Sequence, residues 1–360
     1  MLPDGFGART RVHEYGGGAW WLHGSDVVFV NWSDQRLHRL AAGADVPAPL
    51  TPEPSHHHGD RYADGRFTAD GRWVVCVRER HESPGAEPVN EIVAVRVHHN
   101  GDPSDPVVLV SGSDFVAAPR VAPTGDMLTW FRWNHPDMPW DGTELCVASL
   151  HDDQSDDGAI SIGETRIVAG GRDESISQPE WTADGSLLFL SDRTDWWNLH
   201  RVAPDAVREL IATGASVEAQ PIAPVDAEIG IPHWVFDSSR YAVLADGRIL
   251  VAWFKGGIDH LGVIPAAGGA MVPLASPFTA LSSIRAFGRG AVVVGASPTS
   301  EPVVAVLEIP ADPDIDGSTP VMAATIRPAR DLGLDDAWFS VPEAITFATS
   351  GDRFAHALYY

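Results

Sequence analysis

The stretch SQPEWTADGSLLFLSDRTDWWNLHR, Ser177 to Arg201, constrains the chain most, because its parts recur from one end to the other. Gln178 to Thr182 reads as a strand, Ala183-Asp184-Gly185 as a tight turn, Leu187 to Leu190 as a nearly all-apolar second strand. After Ser191 to Thr194 the chain turns into a third strand, Trp197 to Val202. An Asp-Gly pair favours the primed hairpin turns, since both residues tolerate positive φ. Such a meander cannot bury both faces of its second strand alone, so copies must stack face to face, with Trp181 buried between neighbouring sheets.

Degenerate copies are recognisable at Arg61 to Arg80 (RYADGRFTADGRWVVCVRER) and at Ala118 to Trp133 (APRVAPTGDMLTWFRW). Weaker ones lie at Arg240 to Phe254, Ser283 to Gly295 and, at the front, Gly17 to Val30. About six copies at a spacing of roughly 45 to 60 residues predict an all-β fold, a β-propeller with one four-stranded blade per repeat. Its 34 glycines and 28 prolines supply turns, its 13 tryptophans and 13 phenylalanines supply filler between sheets, and helix should be scarce.

The formal net charge of -24 makes nucleic acid and anionic membrane poor partners. Lys255 is the sole lysine. Cys76 and Cys146 sit inside apolar strand patterns and read as buried free thiols. The beginning, MLPDGFGARTR, lacks the apolar run of a signal peptide, and no segment reaches the ~18 apolar residues of a membrane span, so a cytoplasmic protein is expected. Polar connections separate the copies: Glu53 to Asp60, His81 to Val89, His99 to Asp105, the acidic His151 to Gly163, and Pro310 to Thr319. After Asp331 the pattern changes, and Glu343 to Thr349 and Phe354 to Tyr360 read as a hairpin outside the repeat.

The strings RTRVHEYGGGAW, NEIVAV, HPDMPWDGTEL, QPEWTADGSLLFLSDRTDWWNL and FAHALYY together resemble the propeller region of the prolyl oligopeptidase family of serine peptidases, in its dipeptidyl and acylaminoacyl peptidase branch. The resemblance runs over most of the 360 residues. It implies a non-catalytic propeller, usually of seven blades, that gates a partner α/β-hydrolase domain and admits only short peptides, including those of aminopeptidase substrates. It also implies that the chain starts late in the propeller, with a first blade short of strands. Residues 1–335 would then be the propeller, and 336–360 a linker and the opening strands of a hydrolase domain absent from this sequence. The alternative is a stand-alone TolB-like propeller that binds protein or peptide.

No G-x-S-x-G elbow occurs, and Ser113, Ser177 and Ser297 lack its spacing, so no catalytic residue is assigned and the chain is expected to be inactive alone. A sialidase-type Asp-box is also missing, since Asp70 and Gly71 are adjacent in Thr68-Ala69-Asp70-Gly71-Arg72-Trp73. Gly16-Gly17-Gly18 lacks the helix that would make it a phosphate loop and reads as a close backbone approach. His56-His57-His58 with Asp60 has metal-ligating residue types but sits on one polar loop, so no metal and no cofactor are expected.

Substrate-channel candidates remain. Arg11, His13 and Glu14 flank the glycines, and Glu14 could hold a peptide's free amine, as carboxylates in related dipeptidyl peptidase propellers do. The structural reading pairs Glu14 with Arg11 or a neighbouring blade. Trp140, Asp141, Trp196 and Trp197 could line a peptide path at blade ends, against the plainer reading of packing between blades.

Overall fold

The computed structural model describes residues 2–83, 85–97, 102–153, 155, 158–312 and 321–360, so the connections expected at His99 to Asp105, His151 to Gly163 and Pro310 to Thr319 lie in part outside the described residues. Six antiparallel sheets follow one another along the chain. The first holds β1 (Trp20–His23), β2 (Asp26–Val30), β3 (Leu37–Leu40) and β4 (Ala48–Pro49). It therefore has four strands, against the deficit expected at the front, although β4 is only two residues long. The second holds β5 (Asp60–Phe67), β6 (Trp73–Arg80), β7 (Val89–Arg96) and β8 (Val107–Val110).

In the third sheet β9 (Phe115–Val121) and β10 (Met127–Trp133) lead to the ten-residue β11 (Thr143–Asp152). The far end of β11 pairs with β12 (Ile160–Ile162) and its near end with β13 (Arg166–Gly171). The fourth sheet is β14 (Ile176–Trp181), β15 (Leu187–Ser191), β16 (Asn198–Val202) and β17 (Gln220–Pro221). The fifth is β18 (Tyr241–Val243), β19 (Ile249–Lys255), β20 (Ile258–Ile264) and β21 (Val272–Leu274). The sixth is β22 (Ala280–Phe287), β23 (Gly290–Ser297), β24 (Ser300–Glu308) and β25 (Met322–Arg327), and the hairpin β26 (Glu343–Ala348) and β27 (Phe354–Tyr359) follows outside the repeat. Every anticipated copy contains the first pair of strands of one blade, the clearest also a third, and the fold is a β-propeller of six blades.

The chain divides into two compact units. The first is Met1–Arg193, His200–Gln220 and Pro232–Ser238; the second is Thr194–Leu199, Pro221–Ile231 and Ser239–Tyr360. In the first unit a core built on Val75, Val77, Trp130, Phe131, Leu145, Ile176 and Phe189 runs through the second, third and fourth sheets, and a smaller one joins Val28, Leu37, Tyr62 and Val93. In the second unit Leu250, Leu261, Ile284, Val293 and Leu307 form the core. Cys76 and Cys146 are buried and unbridged, and burial pushes both thiols up, Cys146 to about 12. Among the described residues no helix is long and apolar enough to cross a membrane.

The turn of the repeat differs from the expected primed type. In the clearest copy Gly185 alone takes positive φ (84°) and Asp184 does not. The Gly185 amide donates to Thr182 O at 2.9 Å and the Thr182 amide to Ser186 O at 2.9 Å, closing a three-residue loop with the glycine in the left-handed position. Asp184 works through its side chain instead, accepting from the Thr182 hydroxyl and, at 3.1 Å, from the Ser186 amide. The same device recurs at Thr68-Asp70-Gly71, where the Thr68 hydroxyl donates to Asp70 at 2.7 Å and Gly71 has φ 72°.

One helix was not legible in advance, α1 (Pro204–Thr213), between β16 and β17. Proline starts it where an amide would have no partner, Gly214 ends it at φ 74°, and Val207 and Leu210 bury its inner face.

Trp181 also differs from expectation, being half-buried at the end of β14. It packs against the large core of the first unit and donates its indole N–H to Arg120 O on β9 at 2.9 Å, so it does join neighbouring sheets. Trp181→Ala should therefore cost about 2 kcal/mol, less than the ~3–5 of a fully buried aromatic, and Trp181→Phe less again. Denaturant melts of the two variants check both the size and the order.

Candidate functional site

Four first strands share one irregularity. Pairing with the neighbouring strand shifts register between Ala63 and Arg66 in β5, between Ala117 and Arg120 in β9, between Ser177 and Glu180 in β14, and between Ser282 and Arg285 in β22. At each bulge one residue takes positive φ: Asp64 at 51°, Ala118 at 52°, Gln178 at 43° and Ser283 at 52°. Two residues on stands a charged side chain. The three arginines among them fold back on the preceding carbonyl, Arg66 on Gly65 O (2.8 Å), Arg120 on Pro119 O (3.0 Å) and Arg285 on Ile284 O (3.1 Å). A bulge re-aims the following residue, and here it does so in four of the six blades.

In the first unit three of these bulges converge. Arg120, almost wholly buried, lies 3.0 Å from Asp64 Oδ1, 3.1 Å from Glu180 Oε1 and 3.9 Å from Asp237 Oδ1. Arg66 joins from β5 with Asp237 Oδ1 at 2.9 Å and Glu180 Oε1 at 3.8 Å. Asp64 is as buried as Arg120, and its second oxygen accepts the Ala118 amide of the next bulge at 2.9 Å. Burial works against the Arg120 charge, but its three carboxylate neighbours outweigh that and hold the guanidinium firmly protonated. Two arginines against three carboxylates leave the cluster one negative charge.

Asp64, Arg120 and Asp237 of the cluster wall a small cavity of about 20 Å³, room for a single water, together with His13, Gln178, His233, Trp234 and Phe236. Burial, with Arg120 nearby, lowers His233 to about 4, so its ring is neutral at pH 7. His13 is likewise held below its usual value by burial, against the pull of Glu79. Its ring meets Phe115 edge-on at 5.1 Å and lies 4.9 Å from Phe236, while one ring nitrogen sits 3.1 Å from Asn90 Oδ1.

Of the expected channel residues, Arg11, His13 and Glu14 are brought together by a turn in which His13 (φ 52°) and Glu14 (φ 62°) are both left-handed. The turn is tied to β6, where Glu79 accepts the His13 amide at 2.7 Å. Glu14 is exposed, with Arg61 Nη1 at 2.7 Å and Arg11 Nη2 at 3.7 Å; the Arg61 hydrogen bond holds its carboxyl below the usual range. Arg11 also covers the Trp32 ring at 5.5 Å. The pairing of Glu14 with Arg11 thus exists, and Arg61 of the second blade is the closer partner.

Trp140 is half-buried and meets Trp234 edge-on at 6.3 Å. Asp141 is exposed and caps its own turn by accepting the Met138 amide at 2.9 Å. In the second unit Trp196 is 39% exposed, whereas Trp197 is 9% exposed and packed against Gly230, where a Cβ would fall 2.7 Å from the Trp197 Cβ. Trp197 is therefore packed closely against its own unit. That unit has its own open groove of about 730 Å³, lined by Trp253, Lys255, Met271 and the run Pro221 to Ala227.

Gly16, Gly17 and Gly18 all take positive φ, and a Cβ on Gly17 would lie 2.4 Å from Phe236 O. The glycines thus serve the close backbone approach read from the sequence, with Gly17 and Phe236 in a parallel bridge. His57 and His58 stack at 3.6 Å on their loop, and among the described residues no group of three metal-ligating side chains is arranged around one point.

No family model and no curated protein matches the chain. Solved structures do. A puromycin-hydrolyzing peptidase of Mycobacterium tuberculosis is 33% identical over 99% of this chain, with a TM-score of 0.84. A puromycin hydrolase is 33% identical over the same share, with a TM-score of 0.81. The chain spans 52% of the length of each. Prolyl oligopeptidase B from Galerina marginata matches over 95% of this chain and 46% of its own at 11% identity and a TM-score of 0.63, a likeness of fold alone. The class is thus a peptidase-type β-propeller. The chain belongs to the prolyl oligopeptidase family, whose propeller region it represents.

Two outcomes test the charged cluster. Arg120→Met should destabilise the chain by about 3–5 kcal/mol, because it strands Asp64 without its buried partner, and Arg120→Met with Asp64→Asn should recover part of that loss. Chemical denaturation of the single and double variants measures the coupling. His233 supplies a pH dependence. An unfolded histidine takes its proton near pH ~6.5, the folded one only at about 4, so its contribution to stability is complete above that window and lost as pH falls through it. Melting temperatures of the parent should drop more steeply between those limits than those of His233→Gln.

Proposed function

We propose that this chain is the gating and substrate-selecting propeller of a serine peptidase that acts on short peptides. The observation that carries the reading is 33% identity over 99% of the chain to two puromycin-hydrolysing enzymes. A third structure of that kind holds PGG. In this reading residues 1–335 are the propeller, and 336–360 are a linker and the opening strands of an α/β-hydrolase partner domain. The exposure of the whole of β26 supports this. Phe347, Phe354 and Tyr359 stand open on the hairpin, and a two-stranded hairpin is marginal without a third strand or a covering layer. Leu358 does meet the Gly257 turn of the second unit.

The substrate would be puromycin-like, a free-amine aminoacyl group joined through an amide. Within the first unit Arg11, His13, Glu14, Trp140 and Asp141 are the proposed channel residues, and Glu14 is an exposed carboxylate among them. Its charge is set by Arg61 and Arg11, so an incoming ammonium would share the carboxylate with them.

The test is a chimaera in which this chain replaces the matched half of the puromycin-hydrolyzing peptidase. It should cleave puromycin and short peptide anilides and leave long unfolded polypeptides intact; equal cleavage of long and short chains refutes the selecting role. In the same chimaera Glu14→Gln should lower kcat/KM on free-amine substrates roughly 10- to 100-fold and spare N-acetylated ones, as removal of one charge-assisted contact predicts. Equal loss on both would assign Glu14 to structure alone.

A further inference from the structure

Three large aromatic side chains of the first unit share one exposed corner. Tyr15 is 61% exposed and Trp234 49%, yet their ring centroids are 5.0 Å apart at 51°. Trp140 closes on Trp234 edge-on at 6.3 Å and 86°. Scattered surface aromatics are ordinary; two exposed rings in contact, with a third behind one of them, are not.

The backbone explains why they meet. Tyr15 stands two residues before Gly17, and Trp234 two before Phe236, and Gly17 and Phe236 are partners in a parallel bridge. The Phe236 amide donates to Gly16 O at 3.0 Å and fixes that register. The bridge holds the two segments side by side, and the Tyr15 and Trp234 rings meet across it. Trp234 also lines the cavity walled by Asp64, Arg120 and Asp237, and Glu14, exposed, precedes Tyr15 in the chain.

We infer that Tyr15 and Trp234, backed by Trp140, form a platform that takes the aromatic side chain of a short peptide. The inference rests on the proposed role in peptide selection and names what is selected. Two exposed rings in contact suit one planar side chain, because they offer a third ring the offset or edge-on geometry that an aliphatic side chain cannot use.

The platform is tested by tryptophan-fluorescence and NMR titration of the chain with the dipeptides Phe-Gly and Leu-Gly. Phe-Gly should half-saturate at a concentration roughly 2- to 10-fold lower than Leu-Gly, the margin that an aromatic pair contributes. Trp234→Leu and Tyr15→Leu should bring that ratio to about one, and Trp234→Phe should keep most of it. Both positions are exposed, and unchanged melting temperatures confirm that the variants are folded. Saturation by neither dipeptide, equal affinity of the parent for both, or a preference that survives both leucine variants overturns the platform. A protein partner seated on this corner instead would show as loss of a complex in Trp234→Leu with no dipeptide preference to begin with, and that also overturns it. Failure of peptide selection as such appears separately, in the chimaera's cleavage of long and short chains, which does not read aromatic preference.

Discussion

The first unit depends on the ion pair between Arg120 and Asp64. Each is almost wholly buried, and an ion of either kind left alone there would cost several kcal/mol. Each therefore requires the other, and through Asp64 Oδ2 and the Ala118 amide the pair also fixes the spacing of β5 against β9. Glu180 extends the constraint to β14, and Asp237 to the segment after Pro232. Replacing all five members by apolar residues of equal volume could leave the unit as stable, so the network is better understood as fixing which strands lie together than as a source of net stabilisation.

The bulges make this possible. A regular first strand would alternate its side chains between two faces, and Arg66, Arg120 and Glu180 would then follow the parity of their neighbours. At Asp64-Gly65, Ala118-Pro119 and Gln178-Pro179 two residues stand opposite one, and that single extra residue re-aims the charged residue that follows, with the positive φ at the first of each two as the local cost. Asp64, Arg120 and Gln178, one from each of three blades, then line one cavity with His13 and His233.

The blades could be read from the chain because each is built on short-range chemistry, an apolar strand on either side of a Thr-x-Asp-Gly or equivalent turn. The turn type was misjudged because aspartate acts there through its carboxylate, which satisfies the threonine hydroxyl and a later amide, and only the glycine needs the left-handed region. Asp64-Gly65 has the same two letters as a turn but falls inside β5. The partners of Arg120 lie 56 and 60 residues away, so no local pattern announces them. A signal was present nonetheless in the recurring small-x-(Gly/Pro)-charged quartets ADGR, AAPR and SQPE. Helix α1 carried its own marks, Pro204 before and Gly214 after an Ala206, Val207, Leu210, Ile211 face, and its ten residues were too few to stand out among strands. Of the adjacent tryptophans only the fold distinguishes Trp196, open to solvent, from Trp197, closed against Gly230.

The bridge between Gly17 and Phe236 separates where a side chain is presented from what that side chain is. Its contacts are peptide to peptide, and any residue larger than glycine at Gly17 would strike Phe236 O. Positions 15 and 234, by contrast, project outward from that fixed frame with little packed around them. Substitution there changes the chemistry offered to a ligand while the frame's geometry stays put. The glycines are thus the part of this corner that tolerates no side chain, and the aromatic pair is the part that can be exchanged without refolding any blade.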